Sequence, residues 1–187
     1  MNGIDDLIND AIRRMDKSVE TTQHEFNSIR TGRASAALLD HVSVDYYGTP
    51  TPLNQLSTIN VPEPRMLTVQ PFDPGSLKSI EKAIMESDLG LTPSTDGKII
   101  RLPIPQLTEE RRKDLVKVVH GIAEEGRVSI RHIRREVMHD LKELRTEGEV
   151  GEDEERRAES ELQKLTDSKI GEIDSFLSGK EEEILEV

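Results

Sequence analysis

Apolar side chains recur at alternating spacings of three and four over three long stretches of this chain, and that pattern leaves few folds open. The first stretch, residues 4–30, carries Ile4, Ile8, Ala11, Met15, Val19, Thr22, Phe26 and Ile29, with no break until Gly32. Such a stripe is the seam of a long bundle helix: wide enough to need neighbours, too narrow for burial all round. The second, residues 107–146, follows Pro103 and Pro105 and begins its stripe at Leu115, Val119 and Ile122. Ile130, Ile133, Val137, Leu141 and Leu144 continue it. Thr108 is a natural N-cap, Glu109 and Glu110 favour the positive end of the helix dipole, and Gly121 and Gly126 are soft points where a bend is expected. Unbroken, this helix would run roughly 60 Å. Residues 147–151 read as a turn, and Ala158, Leu162, Leu165, Ile173, Phe176 and Ile184 mark a third helix of about 50 Å.

Three long helices with narrow stripes predict an antiparallel three-helix bundle assembled from the two ends of the chain. Only 34% of the residues are hydrophobic and 3% aromatic, which suits an elongated shape with a thin core better than one sphere. The middle has a different grammar. Val42–Tyr47 alternates like a strand, 48–52 (Gly-Thr-Pro-Thr-Pro) reads as a turn, and strands are expected at 55–61, 66–70 and 98–102. Leu77, Ile80, Ala83 and Ile84 mark one short helix after Pro74-Gly75. The expected fold is therefore α+β: an elongated antiparallel three-helix bundle from residues 1–30 plus 106–187, with a small α/β domain inserted at 31–105. The chain crosses between them twice, at Thr31, Gly32 and Arg33 and at Pro103, Ile104 and Pro105. Glycine on one short crossing and proline on the other predict a hinge.

Charge is the second constraint. The formal net charge is −12, yet residues 127–135 hold four arginines and no acid. Residues 1–146 carry 20 basic and 22 acidic side chains, net −2, whereas 147–187 carry 5 and 15, net −10. Residues 111–135 carry 8 and 3, net +5. At about 100° per residue, Arg127, Arg131, Arg134 and Arg135 fall within an arc of roughly 100°, and the apolar stripe lies about 110° away. Charged stripes are commonly just solvated faces. Here, however, all four side chains are Arg, Arg134 has Ile130 and Met138 rather than acids one turn away, and the like-charged pairs repel along the helix. A row of guanidinium groups suits phosphate oxygens and predicts contact with nucleic acid in a fixed orientation, an acidic segment repelling the same polyanion elsewhere. Two weaker candidates exist. Arg30-Thr-Gly-Arg33 reads equally as a helix C-cap and as a phosphate contact. Glu109-Glu-Arg-Arg-Lys113 reads as local ion pairing.

Other chemistries lack their motifs. There is no cysteine, hence no disulfide, thiol catalysis or Cys-based zinc site. No P-loop, GxGxxG, HExxH or G-x-S-x-G is present, and the five histidines, including His132 and His139, read as surface residues. Asp153–Glu155 reads as a solvated acidic run at a helix start. No catalytic residue, metal or cofactor is expected. Five aromatics and no Trp argue against a base-stacking platform. With no 18-residue apolar run and a polar, acidic start, a cytoplasmic protein with no membrane contact is expected.

Several segments together resemble the ribosome recycling factors of the bacterial type: Ile29-Arg-Thr-Gly-Arg-Ala-Ser35, Tyr47-Gly-Thr-Pro-Thr-Pro-Leu53, Ser87-Asp-Leu-Gly-Leu91, Leu107-Thr-Glu-Glu-Arg-Arg-Lys113 and Ile133-Arg-Arg135. The resemblance runs the length of the chain in order. It implies an L-shaped protein whose second domain is hinged. It implies action after termination, splitting the 70S ribosome into subunits with elongation factor G and GTP, the GTPase chemistry being the partner's. By motif it places large-subunit ribosomal RNA contacts on Arg30, Gly32 and Arg33 and on Arg127, Arg131, Arg134 and Arg135, with Arg134 foremost. Gly126 stands where the family often has Ala, His132 where it often has Asn, and Val137-Met138-His139 replaces a small-polar run. The lack of a transit segment before Ile4 favours a bacterial over an organellar form. The heptad-like spacing also permits another class of function, a dimeric coiled-coil scaffold whose arginines bind an acidic protein. A bundle closed within one chain would instead be monomeric.

Overall fold

A computed structural model describes residues 3–186, so the outermost ends of the expected bundle segments, 1, 2 and 187, lie outside the described residues. Two compact units are present, one built from the chain up to Arg30 and from Glu109 onward, the other from Thr31–Thr108.

The first unit is the bundle: α1 (Gly3–Ser28), α4 (Glu109–Thr146) and α5 (Glu152–Leu185). Contacts fix the directions. Arg14, Ser18 and Thr22 of α1 meet Glu136, Ser129 and Gly126 of α4, so these two run antiparallel. Arg145, Arg134 and Arg127 of α4 meet Glu155, Gln163 and Asp174 of α5, antiparallel again. The stripe of α1 is buried from Ile4 to Phe26, with Ala11 and Met15 fully enclosed. On α4, Leu115, Val119, Ile130, Ile133, Val137 and Leu141 are buried as expected, whereas Ile122 and Leu144 are only half-buried and Ala123 and Gly126 take inner places; α4 continues through Gly121 and Gly126 without a break. At 38 residues it is about 57 Å long.

Other expectations for the bundle change. In α5, Thr166 and Leu177 are buried while Leu165 and Phe176 are only half-buried, because a helix wedged against two neighbours turns a broader face inward. Thr22 and Thr166 enter the core because each hydroxyl donates to the carbonyl one turn back, Ser18 O at 2.9 Å and Leu162 O at 2.8 Å. Glu155 is not in a solvated run. Its side chain is 9% exposed and its Oε2 lies 2.5 Å from Arg145 Nε, clasping the α4–α5 turn. That turn is closed by Gly148 at φ +78°, with Gly148 N–H donating to Arg145 O at 3.0 Å and Glu149 N–H to Leu144 O at 3.0 Å. Gly151 N–H then donates to Glu154 Oε2 at 2.8 Å as α5 starts.

The second unit contains β1 (Ser43–Tyr46), β2 (Thr49–Pro52), α2 (Leu53–Leu56), β3 (Ser57–Glu63), β4 (Met66–Pro71), α3 (Leu77–Glu86), β5 (Ser94–Thr95) and β6 (Ile100–Pro103). The sheets are antiparallel: a β1–β2 hairpin and a four-stranded sheet ordered β3-β4-β6-β5. Gly-Thr-Pro-Thr-Pro is mostly strand rather than turn. Tyr47 and Gly48, both at positive φ, make the two-residue hairpin, and Pro50 and Pro52 are tolerated because β2 pairs on one side only. Leu39, Val44, Leu53, Leu67, Val69, Ile80, Ile84, Ile100 and Leu102 form its own core. Each unit thus buries apolar surface independently, which is what two domains require.

Candidate nucleic-acid interface

The expected arginine stripe divides into two sets. Arg127 and Arg134 lean toward α5. Arg127 Nε and Nη2 donate to Asp174 Oδ1 at 2.8 and 2.7 Å, and its side chain is 21% exposed. Arg134 Nη1 donates to Gln163 Oε1 at 2.7 Å, and Gln163 Nε2 in turn donates to Asp167 Oδ1 at 2.9 Å. Arg134, first on sequence grounds, is therefore half-buried and held in a cross-helix network. Arg131 and Arg135 belong to the outward set. Arg131 Nη1 donates to Glu124 Oε1 at 3.1 Å, and Arg135 is exposed with no ion pair among the described residues.

Two lysines join this outward set. Lys117 and Lys142 are exposed on α4. At about 100° per residue they share an arc of roughly 40° with Arg131 and Arg135. From Lys117 to Lys142 the row spans 25 residues, about 38 Å along one rigid helix. The signal lies in the sequence spacing: both lysines fall on the face of the clustered arginines, 10 residues before Arg127 and 7 after Arg135. Between the cations lie Gly121, with nothing within 4 Å of its Cβ position, and the exposed Glu124 and Val128.

Acids shape the electrostatics. Glu124 takes Arg131 through Oε1 and Arg127 Nη1 through Oε2 at 3.2 Å, and these two bonds hold its carboxyl below the ordinary value, Arg131 first. Arg127 is pushed up, chiefly by Asp174. On the α1 side of the row, His132 Nε2 lies 3.2 Å from Glu136 Oε1, and Glu136 also accepts from Arg14. His139, Asp140 and Glu143 bring ligand atoms within 4.8 Å of one another on an exposed turn, an arrangement that one helical repeat produces by itself.

The remaining candidates cluster at the crossings. Helix α1 ends at Ser28, so Gly32 is not its C-cap. At φ +76° Gly32 redirects the chain, and a Cβ there would lie 3.2 Å from Leu107 Cγ. Arg30 and Arg33 are exposed on either side of it. Pro103 pairs with Met66, and Ile104 N–H donates to Arg65 O at 2.8 Å, so Pro103 and Ile104 are tied to the sheet. Ala34 N–H donates to Pro64 O at 2.7 Å and anchors the other crossing just after Arg33. Lys113 pairs with Glu109 at 3.0 Å, the local pairing expected of that run. Among the described residues no helix is long and apolar enough to cross a membrane.

The family model described as ribosome recycling factor matches residues 22–185. The ribosome-recycling factor of Rubrobacter xylanophilus is 57% identical over 187 residues, covering 100% of both chains. That of Alcanivorax borkumensis is 53% identical, covering 98% of this chain and all of its own. A solution structure of the ribosome recycling factor superposes with a TM-score of 0.76 at 43% identity, covering both chains fully. A second solved structure, of the T. thermophilus factor with E. coli elongation factor G bound to the E. coli post-termination complex, matches with a TM-score of 0.64 at 51% identity over 97% and 98% of the two chains. With the family model matching most of the chain and full-length relatives more than half identical, the chain belongs to the ribosome recycling factor family, whose members are translation factors and not enzymes.

Proposed function

We propose that this protein splits post-termination 70S ribosomes together with elongation factor G and GTP, docking on large-subunit ribosomal RNA through the outward cationic row of α4. The observation that carries this reading is the row itself: Lys117, Arg131, Arg135 and Lys142 on one exposed face of an uninterrupted helix, in a protein of net charge −12. Four cations at fixed spacing match backbone phosphates, and their separation is set by a helix too stiff to adapt, which favours shape over base readout. Arg127 and Arg134 contribute from the edge, and Arg30, Gly32 and Arg33 form a second contact. The partner complex in the T. thermophilus structure supports the choice of elongation factor G.

The two crossings act as the hinge. The hinge residues are Thr31, Gly32 and Arg33 on one crossing and Pro103, Ile104 and Pro105 on the other, a reading supported by Gly32 at φ +76° and by the backbone bonds of Ala34 and Ile104 that mark the edge of the sheet unit. The stroke of the elongation factor would pass through this pivot into the rigid bundle. All three apolar stripes are consumed within one chain, which favours a monomer over the scaffold reading.

Binding to purified large subunits across a salt series tests the docking face. Arg131→Ala and Arg135→Ala should each weaken binding and reduce the salt slope by about one. Arg134→Ala should weaken it too, through Gln163 as well as directly. Unchanged affinity of Arg135→Ala at moderate salt rejects the proposed face. For the hinge, the absence of native cysteine allows clean cysteine pairs across 31–33 and 103–105. A verified oxidised cross-link should abolish splitting and spare binding, and full splitting activity would reject the pivot.

A further inference from the structure

We infer that Glu124 is a built-in competitor of the RNA phosphates, a carboxylate on the docking face that occupies guanidinium donors of Arg127 and Arg131 and so sets the affinity and salt dependence of the α4 row. This rests on the docking face proposed above. Glu124 stands three residues before Arg127 and seven before Arg131, and its two oxygens are divided between them, Oε2 to Arg127 Nη1 at 3.2 Å and Oε1 to Arg131 Nη1 at 3.1 Å. Reaching a partner two turns away lays both side chains flat along the outward surface, so the carboxylate sits inside the cationic row and not beside it. The two arginines differ in what else holds them. Arg127 is also gripped through Nε and Nη2 by Asp174 of α5, so it stays anchored if Glu124 leaves. Arg131 is 42% exposed, and Glu124 is the acid that holds it.

A carboxylate presents two oxygens to a guanidinium fork much as a phosphate does, so the two ligands compete for the same donors. The pair is easily surrendered, because exposed ion pairs are weakly held in water. When RNA arrives, Glu124 must release Arg131. It is then an uncompensated negative charge next to a polyanion unless it takes up a cation. Either outcome subtracts from the gain made by phosphate neutralisation, and cation uptake also reduces the net release of ions on binding. Glu124 thus holds the row in a partly neutralised state until a ligand of higher charge density displaces it, which favours dense RNA backbone over weakly charged surfaces.

The test is equilibrium binding of the full chain to purified large ribosomal subunits across a salt series, with wild type beside Glu124→Gln, Glu125→Gln and Arg135→Ala. Glutamine keeps the size and one acceptor oxygen but removes the charge. Glu125 is an exposed acid of the same net charge on the flank of α4. Glu124→Gln should bind about two- to fivefold more tightly at low salt, with a slope steeper by up to about one, so that the advantage fades as salt rises. Glu125→Gln should change affinity less. Equal or weaker binding by Glu124→Gln overturns the inference and makes the residue a positioning group for the arginines. A gain equal to that of Glu125→Gln, or one undiminished at raised salt, overturns it as well. Arg135→Ala separates the two levels: if it binds like wild type the docking face itself is wrong, whereas if it binds weakly and Glu124→Gln shows no gain, only the competitor role is lost.

Discussion

Gly126→Ala should destabilise this protein, although alanine is the better helix former. Gly126 is buried in α4, facing α1 and α5. A Cβ built there would stand 2.5 Å from Thr22 Oγ1, 3.1 Å from Thr22 Cγ2 and 3.0 Å from Ile173 Cδ1. Thr22 cannot swing aside freely, because its hydroxyl is bonded to Ser18 O at 2.9 Å and its residue is buried. Overpacking of this kind costs roughly 1–3 kcal/mol. The helix-propensity gain returns about 0.8–1.0 kcal/mol. The net loss is about 1 kcal/mol, a fall in melting temperature of roughly 2–4 °C for a chain of this size. Gly121, five residues earlier on the same helix, supplies the control, since nothing lies within 4 Å of its Cβ position. There the propensity term stands alone, and Gly121→Ala should stabilise by about 1 kcal/mol. Urea and thermal unfolding followed by far-UV circular dichroism measure both. In a Thr22→Ala background the two Thr22 contacts are removed and only Ile173 Cδ1 at 3.0 Å remains, so Gly126→Ala should cost less than in the wild type, a coupling of about 1 kcal/mol. Equal stabilisation by the two glycine substitutions, or no coupling to Thr22, would refute the close-packing argument.

Arg145→Met leaves Glu155 buried without its partner; because Arg145 is 40% exposed and partly solvated, the loss in urea unfolding should be about 1–3 kcal/mol, and Arg145→Lys should recover part of it. Gly32→Ala should cost the sheet unit about 1–2 kcal/mol for the left-handed backbone alone, with Leu107 adding to it. Asp96 accepts from the backbone N–H of Ile99 at 3.0 Å and of Lys98 at 3.1 Å and from Arg101, and these hold its carboxyl below the ordinary value, Ile99 first. Its folded-state value being depressed, its contribution is present above the unfolded value and lost as pH falls through the folded one; carbon-detected NMR titration should find this carboxyl below the ordinary aspartate range, and a midpoint at or above that range refutes the assignment.

The bundle was legible in the sequence because its signal is local. A three-four spacing needs no knowledge of partners, and from Ile4 to Phe26 every expected stripe position is buried. Where partners decide, spacing misled. Leu165 and Phe176 have the right period but yield the innermost places to Thr166 and Leu177, since two neighbouring helices, not one, define the buried face of α5. Gly126 reads as weakness in a helix taken alone and is a contact point in the bundle. Pro50 and Pro52 suggested a turn because proline breaks ladders, but a hairpin strand with one open side keeps them. The arginine stripe was legible as composition and angle. Its division into an anchored set and an outward set was not, because Asp174 and Gln163 lie 47 and 29 positions away from their partners in sequence. Lys117 and Lys142 were within reach of the same angular argument. Membership of the family was carried by short motifs in order, which identify a chain without explaining its packing.

Light scattering of purified post-termination 70S ribosomes, mixed with this protein, elongation factor G and GTP, tests the central claim most directly. The account predicts a drop in scattering that needs all three components and is lost or strongly slowed by the double substitution Arg131→Ala with Arg135→Ala. A wild-type protein that produces no drop beside an active elongation factor would contradict the function, and an equal drop from the double variant would contradict the docking face.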